Sequence, residues 1–138
     1  MNLLKKHCAA LLAATLLGST ASAQPLLRCE ITYGGSTQIL ESHLTTNADA
    51  VYVAEAEKIA GRFRFKAILL GSGDRLETIK LYAYYENNRQ PVLLQEVKYQ
   101  APFPNSTGAY GLTGLNYLYS PPLGRELQYG CALLEAQS

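Results

Sequence analysis

The stretch GRFRFKAILL, Gly61 to Leu70, sets basic and aromatic residues in alternation: Arg62, Phe63, Arg64, Phe65, Lys66. Side chains along a strand point to opposite faces in turn, so Phe63, Phe65, Ala67 and Leu69 share one side while Arg62, Arg64 and Lys66 share the other. The apolar set is the core side, and the period of two makes this a half-buried strand. The run that follows repeats the arrangement. Ile79, Leu81, Ala83 and Tyr85 face inward, leaving Lys80, Tyr82 and Tyr84 on the wet face.

Working outward from this pair, β-type runs separated by turn chemistry fill the chain from Leu26 onward. The runs are Leu26 to Tyr33, Thr37 to Ser42, Ala50 to Ala56, Arg62 to Leu70, Leu76 to Glu86, Val92 to Gln100, Tyr110 to Tyr119 and Glu126 to Glu135. Gly34-Gly35, Ser72-Gly73-Asp74, Asn87-Asn88 and Pro121-Pro122 lie between them, where glycine and asparagine reach positive φ and proline removes a donor. Alanine and glutamate in Ala48 to Ile59 allow a short helix, but Val51-Tyr52-Val53 favours a strand there. About eight strands point to an all-β, antiparallel β-sandwich of immunoglobulin-like type, with a small β-barrel as the alternative. The antibody-type pattern of a core tryptophan between interior cysteines is missing, since the chain has no tryptophan.

The first residues read MNLLKKHCAALLAATLLGSTASAQ: Lys5 and Lys6, then an apolar run, then Ala21-Ser22-Ala23. This is the layout of a secretory signal peptide cleaved between Ala23 and Gln24, and its apolar run is shorter than the ~20 residues of a membrane span. The expected organisation is a signal peptide over 1–23 and a single all-β domain over 24–138, periplasmic or secreted. Cleavage leaves 115 of the 138 residues. The twelve basic residues less Lys5 and Lys6 then stand against eleven acidic ones. That balance gives no electrostatic case for nucleic acid.

After cleavage only Cys29 and Cys131 remain of the three cysteines. In an oxidising compartment they are expected to form one disulfide. Disulfide geometry requires Cα atoms within about 7 Å, so the first and last strands are expected to be neighbours.

Catalytic signals are sparse. His43 is the one histidine after cleavage, too few for a catalytic zinc cluster, and Asp49 and Asp74 stand apart in different loops, so no metal or cofactor is expected. Gly34-Gly35-Ser36-Thr37-Gln38 lacks the last glycine and the helix of a nucleophile elbow. Gly71-Ser72-Gly73-Asp74-Arg75 lacks the lysine and hydroxyl of a phosphate loop. Nine glutamates could supply a carboxylate pair to a glycosidase-like hydrolase, yet spacing selects none.

The basic and aromatic face remains as the candidate ligand surface: Arg62, Arg64, Lys66, Lys80, Tyr82 and Tyr84. An acidic glycan, a lipid headgroup or an envelope protein would be its partner. Register decides whether it is a site. Pairing Leu70 with Leu76 sets Lys66 opposite Lys80, Arg64 opposite Tyr82 and Arg62 opposite Tyr84. Pairing Glu86 with Val92 then extends a lysine row to Lys98, whereas a slip of two sets Glu96 beside Lys80 as an ordinary ion pair. Hydrophobic burial is equal in the two registers, because a slip of two keeps the same face inward. The expected function is a non-catalytic binding or envelope-structural module, with a small carboxylate hydrolase as the alternative.

Overall fold

The computed structural model describes residue 18 and residues 23–104 and 107–137, so the expected signal peptide, apart from Gly18 and Ala23, lies outside the described residues. The elements in chain order are β1 (Ala23–Tyr33), β2 (Ser36–Thr45), α1 (Ala50–Val53), β3 (Glu57–Ile59), β4 (Phe63–Ser72), β5 (Arg75–Tyr85), β6 (Val92–Gln100), β7 (Asn116–Ser120) and β8 (Arg125–Gln137). Among the described residues no helix is long and apolar enough to cross a membrane.

The strands follow the order β6-β5-β4-β2-β1-β8-β7, with β3 added beside β4. This is one mixed sheet, nearly closed and barrel-shaped, in place of the expected immunoglobulin-like antiparallel sandwich. A single contact makes the difference. β2 and β4 run parallel and pair only at Leu44–Leu69 and Thr45–Leu70, joining the antiparallel half β2-β1-β8-β7 to the half β3-β4-β5-β6. Parallel neighbours need a crossover connection, which the segment from Thr46 to Arg62 supplies.

Side chains from both halves fill the interior, as in small barrels. Leu27, Cys29 and Ile31 of β1, Phe63, Phe65 and Leu69 of β4, Ile79, Leu81 and Ala83 of β5, and Leu127, Tyr129 and Cys131 of β8 form the core. The inward sets expected for β4 and β5 are those observed. Phe65 of β4 and Tyr129 of β8 pack with ring centroids 4.9 Å apart. The Tyr129 hydroxyl reaches on to β6 and donates to Gln95 Oε1 at 2.5 Å.

Burial raises the Tyr129 hydroxyl pKa to about 12, with Tyr99 nearby as a smaller cause. A phenol that ionises later in the folded state than in the unfolded chain stabilises the fold fully below pH 10, and that contribution disappears as pH climbs from 10 through 12. A shift of this size corresponds to about 2–3 kcal/mol. Urea midpoints should therefore fall steeply across this window. In Tyr129→Phe the fall should be clearly shallower; equal slopes in the two proteins would contradict the assignment.

Cys29 and Cys131 stand directly opposite each other on β1 and β8, Cα atoms 4.1 Å apart, and are joined by the expected disulfide. Two strand expectations are corrected. Ala50 to Ala56 is not a strand: Val51-Tyr52-Val53 lies in the single turn α1, with Tyr52 and Val53 exposed. The Asn47 side chain accepts the Asp49 amide, and the Asn47 and Asp49 carbonyls accept the amides of Ala50, Tyr52 and Val53, so local bonds override β-propensity. The strand expected over Tyr110 to Tyr119 begins only at Asn116. Upstream, Gly108 and Gly114 adopt positive φ and the chain closes a turn from the Gly114 amide to the Tyr110 carbonyl.

Candidate functional site

β4 and β5 carry five of the six expected site residues on their outer faces, and Arg62 lies in the turn just before β4. Their register departs from the expected one by two residues. Lys66 stands opposite Tyr82, and Arg64 opposite Tyr84. One residue of the shift comes from the turn and one from a bulge: Leu70 pairs with Thr78, but Gly71 pairs with Leu76, leaving Glu77 as the extra residue. Beyond it Ser72 meets Arg75 across a Gly73-Asp74 turn, with Gly73 at φ +62°. Glycine at the first turn position suits the twist of a two-residue hairpin.

Between β5 and β6, Lys80 does stand opposite Lys98. Its ammonium nevertheless leans along the strand to Glu96, at 3.9 Å. The row of three lysines does not form, because the β4 partner of Lys80 is Ile68.

The cations of this face are held by groups of the same chain. Arg64 forms a two-pronged ion pair with Glu86, whose bond also raises the guanidinium pKa. Lys66 donates to the Val51 carbonyl at 2.9 Å and sits 4.8 Å above the Tyr82 ring, and burial lowers its pKa. Tyr82 and Tyr84 stack with centroids 6.4 Å apart, and burial raises both of their pKa values. Tyr82 and Ile68 point outward yet are 7% and 4% exposed. The β2–β3 connection carrying α1 covers this face, as the Lys66–Val51 bond shows. Arg62 remains exposed.

Two other regions are more open. One is an aromatic row on β7. Tyr117 and Tyr119 are 57% and 59% exposed, and Leu115, two residues before Tyr117, is 42% exposed. Tyr110 lies beside them, with its hydroxyl donating to Glu30 Oε2 at 3.0 Å. Its ring lies against Gly130 of β8, so closely that a Cβ there would come within 2.2 Å of the ring. Hydrophobic periodicity alone would turn Tyr117 and Tyr119 inward and Asn116, Leu118 and Ser120 outward. The second open region is a gap along β2. A cavity of about 120 Å³ there is lined by Glu41, Glu55, Glu57 and Lys66 among others. No motif marks these glutamates in the sequence, since the crossover alone brings them together.

Among the described residues no group of three or more His, Cys, Asp or Glu side chains is arranged to hold a metal ion. His43 is exposed near the end of β2. No protein-family model, curated protein sequence or solved structure compared with the chain matches it.

Proposed function

We propose that the chain is exported, loses residues 1–23, and works as a non-catalytic binding or structural module of the cell envelope. The observation that carries this reading is the outward row Leu115, Tyr117 and Tyr119, with Tyr110 beside it. Exposed aromatic side chains that share a face offer large rigid contact area with a polar tip, the composition that interfaces favour. Glu126 is paired with Tyr119, and Glu30 accepts from Tyr110, so this row suits a neutral glycan or an envelope protein better than an acidic polymer.

Binding of an acidic glycan or lipid headgroup at Arg62, Arg64, Lys66, Lys80, Tyr82 and Tyr84 is the weaker version of the same reading. Arg64 and Lys66 would first have to leave Glu86 and Val51. The hydrolase alternative is weaker still. The cleft lined by Glu41, Glu55 and Glu57 measures about 120 Å³, less than half of the ~300 Å³ at which small-molecule sites begin.

The test is a Tyr117→Ser/Tyr119→Ser double variant, assayed on a glycan array and against isolated envelope proteins. Losing two aromatic anchors should weaken capture by at least about tenfold while circular dichroism stays unchanged. A folded double variant that captures every ligand as the parent does would remove the row from the proposal.

A further inference from the structure

We infer that the gap between β2 and β3 receives an extended peptide carrying a basic side chain, which adds to β2 as a further strand. The argument begins with the direction of backbone groups. The Cys131 amide donates to Thr113 Oγ1, and its carbonyl accepts from Leu112 and Thr113, on the side away from β1. The Cys29–Cys131 pair is therefore a non-hydrogen-bonded one, and Cys29 turns its backbone groups to Leu40 of β2 instead. Alternation along the ladder then directs the amides and carbonyls of Thr37, Ile39 and Glu41 away from β1 and into the gap. The Thr32–Thr37 hydroxyl contact at 2.7 Å fits this phase, because side chains approach most closely at non-hydrogen-bonded pairs.

Among the described residues no strand meets these groups across the gap. Among the described residues β2 pairs with β4 only at Leu44 and Thr45, and β3 pairs with β4 instead. Open volume follows the free edge. A cavity of about 370 Å³ lies between Thr37 and Gln38 on one side and Ile59 and Ala60 on the other, and the 120 Å³ cavity lies further along beside Glu41. Polar residues on the inward side of β2, Ser36, Gln38 and Ser42, fit a barrel wall left open here. A free edge of this kind is what strand addition uses.

Charge selects the occupant. Glu41, Glu55 and Glu57 line the smaller cavity with one cation, Lys66, whose ammonium already donates to Val51. Arg28, opposite Glu41 on β1, bonds to Glu30 at 3.0 Å. A lysine or arginine on the incoming strand would complement this excess. Tyr33 and Ile59 at the larger cavity suit an apolar side chain beyond it. This surface is separate from Tyr117 and Tyr119, since β2 and β7 are opposite edges of their half-sheet.

The test uses fluorescent ten-residue peptides of alternating threonine and valine with lysine or glutamate at the centre, added to the disulfide-bonded protein. The lysine peptide should bind at least about tenfold more tightly than the glutamate peptide, the factor expected for one charge-assisted bond. Binding should slow amide exchange at Thr37, Ile39 and Glu41. Ile39→Pro removes an amide that faces the gap and no bond to β1, and should abolish binding. Glu41→Lys/Glu57→Lys should reverse the preference and gives an independent readout if the proline variant fails to fold. Equal affinity for both peptides, absence of binding, or protection confined to other strands would overturn the inference. So would a concentration-dependent dimer protecting those same amides, which would assign the edge to a second copy. Tyr117→Ser/Tyr119→Ser should leave peptide binding unchanged.

Discussion

Replacing Cys29 and Cys131 together by alanine is expected to lower the unfolding free energy by about 4 kcal/mol. The two residues are separated by 102 positions and tie β1 to β8, so the bond closes a loop that includes nearly the whole described chain. In the chain-entropy model a loop of ~100 residues contributes about 4.7 kcal/mol, with measured values commonly somewhat lower. The bond adds little to the folded state, where β1 and β8 already pair from Ala23–Gln137 to Thr32–Gln128. Most of the effect lies in the unfolded ensemble. Domains of this size hold about 5–15 kcal/mol in total, so the double variant should stand near the limit of stability. Urea titrations of parent and variant measure the difference directly, and a loss below about 1 kcal/mol would be incompatible with the argument. The same reasoning makes stability depend on the redox state. Protein made in a reducing compartment should match the variant, and oxidation should restore the parent's midpoint.

The disulfide and the inward faces of β4 and β5 were legible in the sequence for a shared reason. Each rests on a local rule, the alternation of Phe63, Phe65 and Leu69 or the pairing of the two cysteines that lie outside the expected signal peptide, that tertiary packing had no cause to override. Register was not legible, because it depends on bulges. The Ser72–Arg75 closure displaces the β4 partner by one residue and the extra Glu77 on β5 by one more, and no periodicity records a residue that is skipped. The helical turn at Ala50–Val53 was hidden by a β-rich Val-Tyr-Val triplet, although Asn47 and Asp49 just upstream carried the competing turn signal. The parallel contact of β2 with β4 was least legible of all. Two residue pairs decide it, and they turn an expected sandwich into a nearly closed barrel.

Of the candidate surface, the sequence identified which residues share the outer face of β4 and β5 but not what meets them there. Glu86 and the Val51 carbonyl engage Arg64 and Lys66 because the β2–β3 crossover and the end of β5 happen to reach them. Those partners are separated by 22 and 15 positions, and no local pattern predicts either contact. The tyrosines of β7 failed in the opposite sense. Tyr117 and Tyr119 are the bulkier set in Asn-Tyr-Leu-Tyr-Ser, yet the inward side belongs to Leu118 and the fully buried Ser120.

Gly71→Ala is expected to cost about 3 kcal/mol, at the upper end for overpacking, because the added carbon has nowhere to go. An ideal Cβ at Gly71 would lie 1.9 Å from the Arg75 carbonyl oxygen and 2.9 Å from Leu44 Cδ1. Leu44 can rotate, but the carbonyl belongs to the backbone of the Ser72–Arg75 hairpin closure and cannot yield without breaking it. Gly71 also follows Leu70, which pairs with Thr45 at the parallel junction between the two halves. Strain there should therefore loosen the junction as well as the hairpin. Amide exchange at Leu44 and Thr45 should rise in step with the loss in urea midpoint. Gly73→Ala serves as the control. Gly73 sits at φ +62° with nothing within 4 Å of its added carbon, so only the ~1–2 kcal/mol of a left-handed backbone applies. If the two variants lose equal stability, backbone conformation and not close approach governs the hairpin. If Gly71→Ala is the more damaging and also opens Leu44 and Thr45, the close approach of Gly71 to Arg75 and Leu44 is what holds the hairpin and the parallel junction together.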